Sequence, residues 1–396
     1  MGLRGVPVGG AFMAIGLWLI GCDDFKSNSR PARAAAEPPP PATSPATPVT
    51  PVAPLTAMPP TPAQLRPAPA DPVLSQAPAP AFGSASPRGK AIDAAVFAAA
   101  APAASMRRVL IRAEVILDRA HFSPGAVDGR DGSNFRRALA AFETARGLAA
   151  PAPAGKASLG AAAWQALITA DGGPVTQDYV ITPADVKGPF LGTVPATMAA
   201  QARLPRLGYT GPVQALAEKF HMDQALLRSL NPGADFAKAG TSLVVIRPAE
   251  GPLPAVARLQ VDKSADQVRA YDAAGKVVAE FPATVGSTER PAPSGQFAVR
   301  FVVHDPTYTY DPARLTFGKA SMGKLTIQPG PNNPVGSTWI DLTVETYGIH
   351  GAPDPREIGK TASHGCVRLT NWDAAALGRA VKKGVPVLFV GAARKA

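Results

Sequence analysis

Cysteine is nearly missing: the 396 residues hold two, Cys22 and Cys366. They leave no Cys-x-x-Cys pair and no His-x-Glu spacing of the kind a metal site uses, so no metal and no cofactor is expected. The net charge of +11 (40 Lys+Arg against 29 Asp+Glu) comes without a lysine/arginine run or a basic–aromatic stripe, so it does not point to nucleic acid. A dispersed positive surface suits polyanions such as cell-wall carboxylates and anionic lipid. Long apolar runs are missing too. The most apolar stretch, "VGGAFMAIGLWLI" near the N-terminus, is too short and too glycine-rich for a membrane span.

That stretch reads instead as the apolar core of an export signal, with Arg4 as its positive flank. It ends in Leu19-Ile20-Gly21-Cys22, which resembles the bacterial lipoprotein signal, in which the cysteine is acylated and becomes the mature N-terminus. The resemblance implies a signal peptide over 1–21 and a periplasmic protein tethered to a membrane by lipid on Cys22. Residues 31–80 contain 17 of the 44 prolines, interleaved with alanine, threonine and serine. Such a stretch buries no core, and residues 22–103 are read as an extended linker. At about 3.1 Å per residue it reaches on the order of 100 Å.

Order is expected from Ser105, read as the N-cap of a helix with Val109, Ala113, Ile116 and Leu117 on one face. After the loop "SPGAVDGRDGSN" a second helix places Phe135, Ala138, Leu139 and Phe142 at i, i+3, i+4, i+7, with Gly147 ending it. "LGAAAWQALI" adds Trp164, Leu167 and Ile168 to a three-helix core. Residues 104–171 resemble the small peptidoglycan-binding domain, with the aromatics read as core. Residues 208–248 give helix, turn, helix and the strand "SLVVI", and "ALAEKFHMDQALLRSLNPG…AGTSLVVI" resembles a LysM module, a glycan binder that would span 178–248, although its usual first strand is not evident before Gly208. His221 falls between the two helices and is read as a surface residue.

From 254 to 392 the texture changes to short alternating strands: "ARLQVDKS", "QVRAYDAAGKVVAEFPATVG", "GQFAVRFVVH", "STWIDLTV" and "GVPVLFV". "DAAG" marks a hairpin, and the regular spacing argues for a mainly-β sandwich or barrel-like domain. A single helix, "NWDAAALGRAVKKG", is expected with Asn371 as N-cap and Gly384 at its end. His304, at the end of "GQFAVRFVVH", is read as structural.

If Cys22 carries lipid, Cys366 is a lone thiol in an oxidising compartment, where an unused thiol is a liability. It sits in "TASHGCVRLTN", with His364 two residues earlier and His350 sixteen earlier in "YGIHGAPD". A histidine can take a thiol's proton or hold the thiolate as an ion pair. A residue at i−2 on an extended strand shares the cysteine's face without aiming its ring at the sulfur, whereas a neighbouring strand can aim one directly, which favours His350. A metal held by Cys366, His364 and His350, with Asp354 or Asp373, and an inert buried cysteine are the competing readings.

"GIHG…SHGCVRLTN", together with "FPATVGSTERPAPSGQFAV" and "IQPGPNNPVGSTWIDL", resembles the active-site signature of the YkuD-type L,D-transpeptidases over about 255–391. The resemblance implies Cys366 as nucleophile, His350 as its proton acceptor, and the Gly351 carbonyl holding the His350 tautomer, as an aspartate does in serine triads. It implies an oxyanion hole from the backbone N–H groups around Gly365 and Cys366. The resemblance further implies that His364 shapes the pocket and contacts substrate, that Ser363 steadies the loop, and that Arg368 binds a substrate carboxylate or braces the loop. The implied reaction is attack on peptidoglycan tetrapeptide stems, loss of D-alanine, and transfer of the thioester to an amine such as a second stem in a 3→3 crosslink. Peptidoglycan stem peptides and glycan are the implied partners and carbapenems the implied inhibitors. Two other readings are a non-catalytic lipoprotein tethering membrane to wall, and a carboxypeptidase or endopeptidase on the same fold.

Overall fold

The computed structural model describes residues 83–148, 159–286, 291–311, 323–361 and 365–392. The export signal, Cys22 and the proline-rich stretch to residue 82 lie outside the described residues, as do Ser363 and His364. The chain divides into Met1–Val73 and Leu74–Ala396, and every described residue falls in the second unit. Among the described residues no helix is long and apolar enough to cross a membrane.

Ordered structure starts inside the stretch expected to be linker. Helix α1 (Pro87–Asp93) is capped by Ser86 and buries Ile92. It is tied down by Asp93, whose carboxylate accepts from the backbone N–H groups of Val175 and Thr176 at 2.8 and 2.9 Å. A seven-residue helix with one buried aliphatic side chain carries no periodicity a sequence reading can detect. Helix α2 (Ala103–Arg119) begins after Pro102 rather than at Ser105, because two alanines extend it and the Pro102 carbonyl accepts from Ser105 and Met106. Helices α3 (Ser133–Ala145) and α4 (Ala161–Ala170) follow, and Phe135, Ala138, Leu139, Phe142, Trp164 and Leu167 are buried as the apolar spacing requires.

The next segment runs strand, helices, strand. β1 (Thr176–Val180) pairs antiparallel with β2 (Ser242–Ile246), Thr176 opposite Ile246. Between them come the short helices α5 (Pro183–Val186) and α6 (Met198–Gln201), then α7 (Pro212–Lys219) and α8 (Gln224–Leu230). The first strand, "TQDYV", escaped the sequence reading because it is polar and only its first residue is buried. One apolar cluster runs from Ile92 to Ile246, so α1–α4 and the β1–β2 segment share a core. His221 is not a surface residue. It sits at φ +51 with its Nδ1 3.2 Å from both Asp118 carboxylate oxygens and its ring stacked on Trp372 at 5.0 Å.

The remaining strands are β3 (Arg258–Asp262), β4 (Gln267–Tyr271), β5 (Val277–Pro282), β6 (Thr284–Val285) and β7 (Gly295–His304). A separate pair, β8 (Tyr308–Tyr310) and β9 (Leu325–Ile327), precedes β10 (Thr338–Leu342), β11 (Gly348–His350), β12 (Val367–Arg368) and β13 (Pro386–Val390). Nine of them form one sheet in the order β5-β4-β3-β13-β7-β10-β11-β12-β6. Its two outermost strands, β5 and β6, are consecutive in the chain with only Ala283 between them. A sheet whose opposite edges are joined by one residue has to curl back on itself, which produces the expected sandwich or barrel-like form. Its interior is a second apolar cluster that includes Leu259, Val261, Ile340, Ile349, Val367 and Phe389. Helix α9 (Asn371–Ala380) packs on β10. Its N-cap is Thr370, whose hydroxyl accepts from Asp373 N–H at 3.1 Å, and not Asn371. It ends before β-branched Val381, which takes extended backbone, four residues ahead of Gly384.

Candidate active site

Strands β11 and β12 run parallel, with Ile349 opposite Val367 and His350 opposite Arg368. Continuing that register puts Cys366 beside Gly348, whose backbone hydrogen-bonds the thiol. His350 and Arg368, opposite each other in that register, point from the same side of the sheet, and Cys366 immediately precedes β12. A 4.8 Å strand spacing and two residues of rise put the His350 and Cys366 Cα atoms about 8 Å apart, within reach of two converging side chains. Sheet topology sets these two positions on neighbouring segments, with fifteen residues of chain between them.

The His350 ring is buried at 4% exposure and stacks on Trp339, its neighbour across β10, at 5.4 Å. Nδ1 donates to the Gly351 carbonyl at 2.6 Å, which places a proton on that nitrogen. Burial is the main influence on the ring's pKa and lowers it to about 4, the nearby Arg368 charge adding to the fall while the Gly351 and Val335 carbonyls oppose it. The imidazole is therefore neutral at physiological pH. Cys366 is half-buried, its Sγ 3.9 Å from the Thr346 carbonyl. Burial pushes its thiol up, with the Gly348 backbone and Arg368 pulling the other way. Burial thus favours the neutral form of both the thiol and the imidazole. Gly365 holds φ at +127, a backbone that residues with a Cβ rarely adopt. Arg368, half-buried, places its charge near both Cys366 and His350.

Beside the glycine whose carbonyl orients His350 packs a residue assigned from sequence only to helix capping. Asn371 Oδ1 accepts from Ser337 N–H at 3.1 Å, and its Nδ2 donates to the Pro331 carbonyl and to Glu218 at 3.1 Å each. It lies so close to Gly351 that a Cβ there would stand 2.2 Å from Asn371 Oδ1. Asn371 is the last residue of "SHGCVRLTN", so the motif contained the signal, but its partners lie in other segments. Of the reserve carboxylates, Asp354 pairs with Arg356 and Asp373 accepts from Ser123 at 2.9 Å. Among the described residues no three His, Cys, Asp or Glu side chains group closely enough to hold a metal. His304 ends β7 with Nδ1 3.4 Å from Thr338 Oγ1, away from the thiol's strand.

Residues 257–388 match the YkuD family, the L,D-transpeptidase catalytic domain. A Bacillus licheniformis protein assigned by name to the L,D-transpeptidases, YkuD, is 26% identical over 176 residues, 44% of this chain and 91% of its own. The crystal structure of a mutant Enterococcus faecium L,D-transpeptidase is 23% identical at a TM-score of 0.28 over 37% of this chain, which spans 55% of that chain's length. The crystal structure of L,D-transpeptidase 3 from Mycobacterium tuberculosis with a faropenem-derived adduct is 17% identical at a TM-score of 0.29, over 38% of this chain and 74% of its own.

Proposed function

We propose, from the membership of residues 257–388 in the YkuD family of L,D-transpeptidases, that this enzyme transfers peptidoglycan stem peptides through a thioester on Cys366. The observation that carries the reading is the Nδ1 bond from His350 to the Gly351 carbonyl on β11, the strand paired with Val367–Arg368 directly after Cys366. Neutral His350 takes the Cys366 proton as sulfur attacks the carbonyl between the L-centre of diaminopimelate and terminal D-alanine. A C–S bond forms and the carbonyl oxygen becomes an oxyanion, met by the N–H groups around Gly365 and Cys366. Collapse breaks the C–N bond, and the imidazolium returns its proton to the departing D-alanine amine. An incoming amine then repeats the sequence in reverse, releasing the thiol and forming a 3→3 crosslink when that amine belongs to a second stem. His364 and Ser363 are assigned by motif to the pocket wall and the loop, and Arg368 to the substrate carboxylate or the loop.

The rest of the chain fits an enzyme delivered to the wall. Cys22 carries the lipid anchor in the periplasm, and the proline-rich linker spans the gap to peptidoglycan. The pairing of β1 with β2 around α5–α8 supports the LysM-like reading, and α2–α4 the peptidoglycan-binding one. A groove of about 500 Å³ lined by Arg88, Asp178, Asn231, Thr241 and Ser242 offers polar groups for glycan. Weak wall contacts gain force from tethering. Cys366→Ala is expected to abolish D-alanine release from purified tetrapeptide muropeptides while sacculus binding persists. Retained turnover would remove the assignment, and product analysis identifies the acceptor.

A further inference from the structure

The loop 329–337 supplies the Val335 carbonyl that reaches the His350 ring and the Ser337 N–H that Asn371 binds. It is held from outside its own sheet. Leu207 N–H donates to the Pro329 carbonyl at 2.8 Å, and Asn332 N–H returns a bond to the Leu207 carbonyl at 3.0 Å. Asn332 Nδ2 donates to the Gly208 carbonyl at 2.7 Å, and Gln214 Nε2 donates to Asn332 Oδ1 at 2.9 Å. The approach is so close that a Cβ on Gly330 would stand 2.1 Å from the Leu207 oxygen. Further along α7, Glu218 accepts from Asn371 Nδ2 at 3.1 Å through one oxygen and from the Tyr209 hydroxyl at 3.0 Å through the other.

The Asn371 amide is therefore read at both ends. Its Oδ1 takes the Ser337 N–H, and its two N–H donors go to Glu218 and the Pro331 carbonyl. Only one amide orientation satisfies all three, because a flip would set oxygen against the Glu218 carboxyl oxygen. In that orientation Asn371 fills the space beside Gly351, whose carbonyl aims the His350 ring. We propose that Glu218, carried by α7 between β1 and β2, is a positioning residue for His350, acting through Asn371 and Gly351, and that segment 207–218 is a working part of the active site. The proposal rests on His350 being the base.

The test uses the full chain, with Glu218→Ala and Glu218→Gln. Glu218→Ala is expected to lower kcat for D-alanine release about tenfold or more, as misplaced catalytic groups do. KM stays within about twofold, since the substrate contacts are untouched. The low-field proton resonance of His350 Nδ1–H shifts or disappears in the same variant. Glu218→Gln keeps an acceptor for Asn371 and restores both. Wild-type kcat and resonance in Glu218→Ala, or Glu218→Gln as impaired as Glu218→Ala, would overturn the proposal. If Glu218→Ala does not fold, Gln214→Ala, which releases Asn332 on the same loop, has to show the same loss of kcat at unchanged KM, and wild-type kcat there overturns it equally. Failure of the underlying reading looks different: His350→Ala would keep turning over, whereas failure of this proposal removes only the Glu218 effect.

Discussion

Gly351→Ala isolates the orienting carbonyl without touching thiol or imidazole. An ideal Cβ at that position would stand 2.2 Å from Asn371 Oδ1 and 3.3 Å from Asn371 Cα, against an ordinary contact of 3.4 Å or more. Something has to yield by about 1 Å. Asn371 is the less yielding partner, since Ser337, Pro331 and Glu218 all grip its amide. The Gly351 backbone moves instead, and with it the carbonyl 2.6 Å from His350 Nδ1. Displacement of a catalytic group by about 1 Å costs on the order of 100-fold in rate, and overpacking costs about 1–3 kcal/mol of stability. The expected result is a kcat for D-alanine release down on the order of 100-fold with KM little changed. Urea unfolding of the same variant should show a loss of about 1–3 kcal/mol. A variant that loses this stability yet keeps kcat within about twofold of wild type would refute the orienting role of the carbonyl.

Three further outcomes follow from the electrostatics and the family. The acid limb of kcat/KM is expected near pH 4, where His350 becomes protonated, and iodoacetamide should alkylate Cys366 slowly at pH 7 and faster as pH rises through the alkaline range. A plateau of fast alkylation at pH 5–7 would instead reveal a preformed ion pair. Burial lifts folded Asp373 to about 7 from an ordinary 3.8, so the folded chain keeps a proton that the unfolded chain releases between those values. Stability thus falls as pH rises through that window and levels above it, by up to a few kcal/mol. Asp373→Asn should flatten this dependence, gaining over wild type at pH 8 and matching it near pH 4 by thermal unfolding, and a gap that does not widen with pH sinks the assignment. Carbapenem should add covalently to Cys366, and an unmodified intact mass after incubation counts against a reactive thiol.

Strands β3, β4, β5, β7, β10 and β13 were legible because each alternates and is bounded by turn residues, as in "QVRAYDAAGKVVAEF", whereas β8, β9 and β12, two or three residues long, carry no such pattern. Cys366 and its two nearest histidines stand out in the sequence because cysteine is so rare here, and of those histidines only His350 is among the described residues. What sequence could not convey lies in contacts between distant segments. "TQDYV" becomes a strand only because Ile246 and its neighbours pair with it. His221 has no local sign of burial, yet it meets Asp118 from α2 and Trp372 from α9. Asn371 looked like a helix cap because asparagine caps helices. Its amide serves Ser337, Pro331 and Glu218 instead, and the cap falls to Thr370.

Intact-mass spectrometry of the enzyme trapped with a tetrapeptide stem tests the central claim most directly. The account predicts a mass gain equal to the stem less its terminal D-alanine, located on Cys366 by peptide mapping and lost in Cys366→Ala. An adduct on any other residue, or D-alanine released by Cys366→Ala, would contradict it.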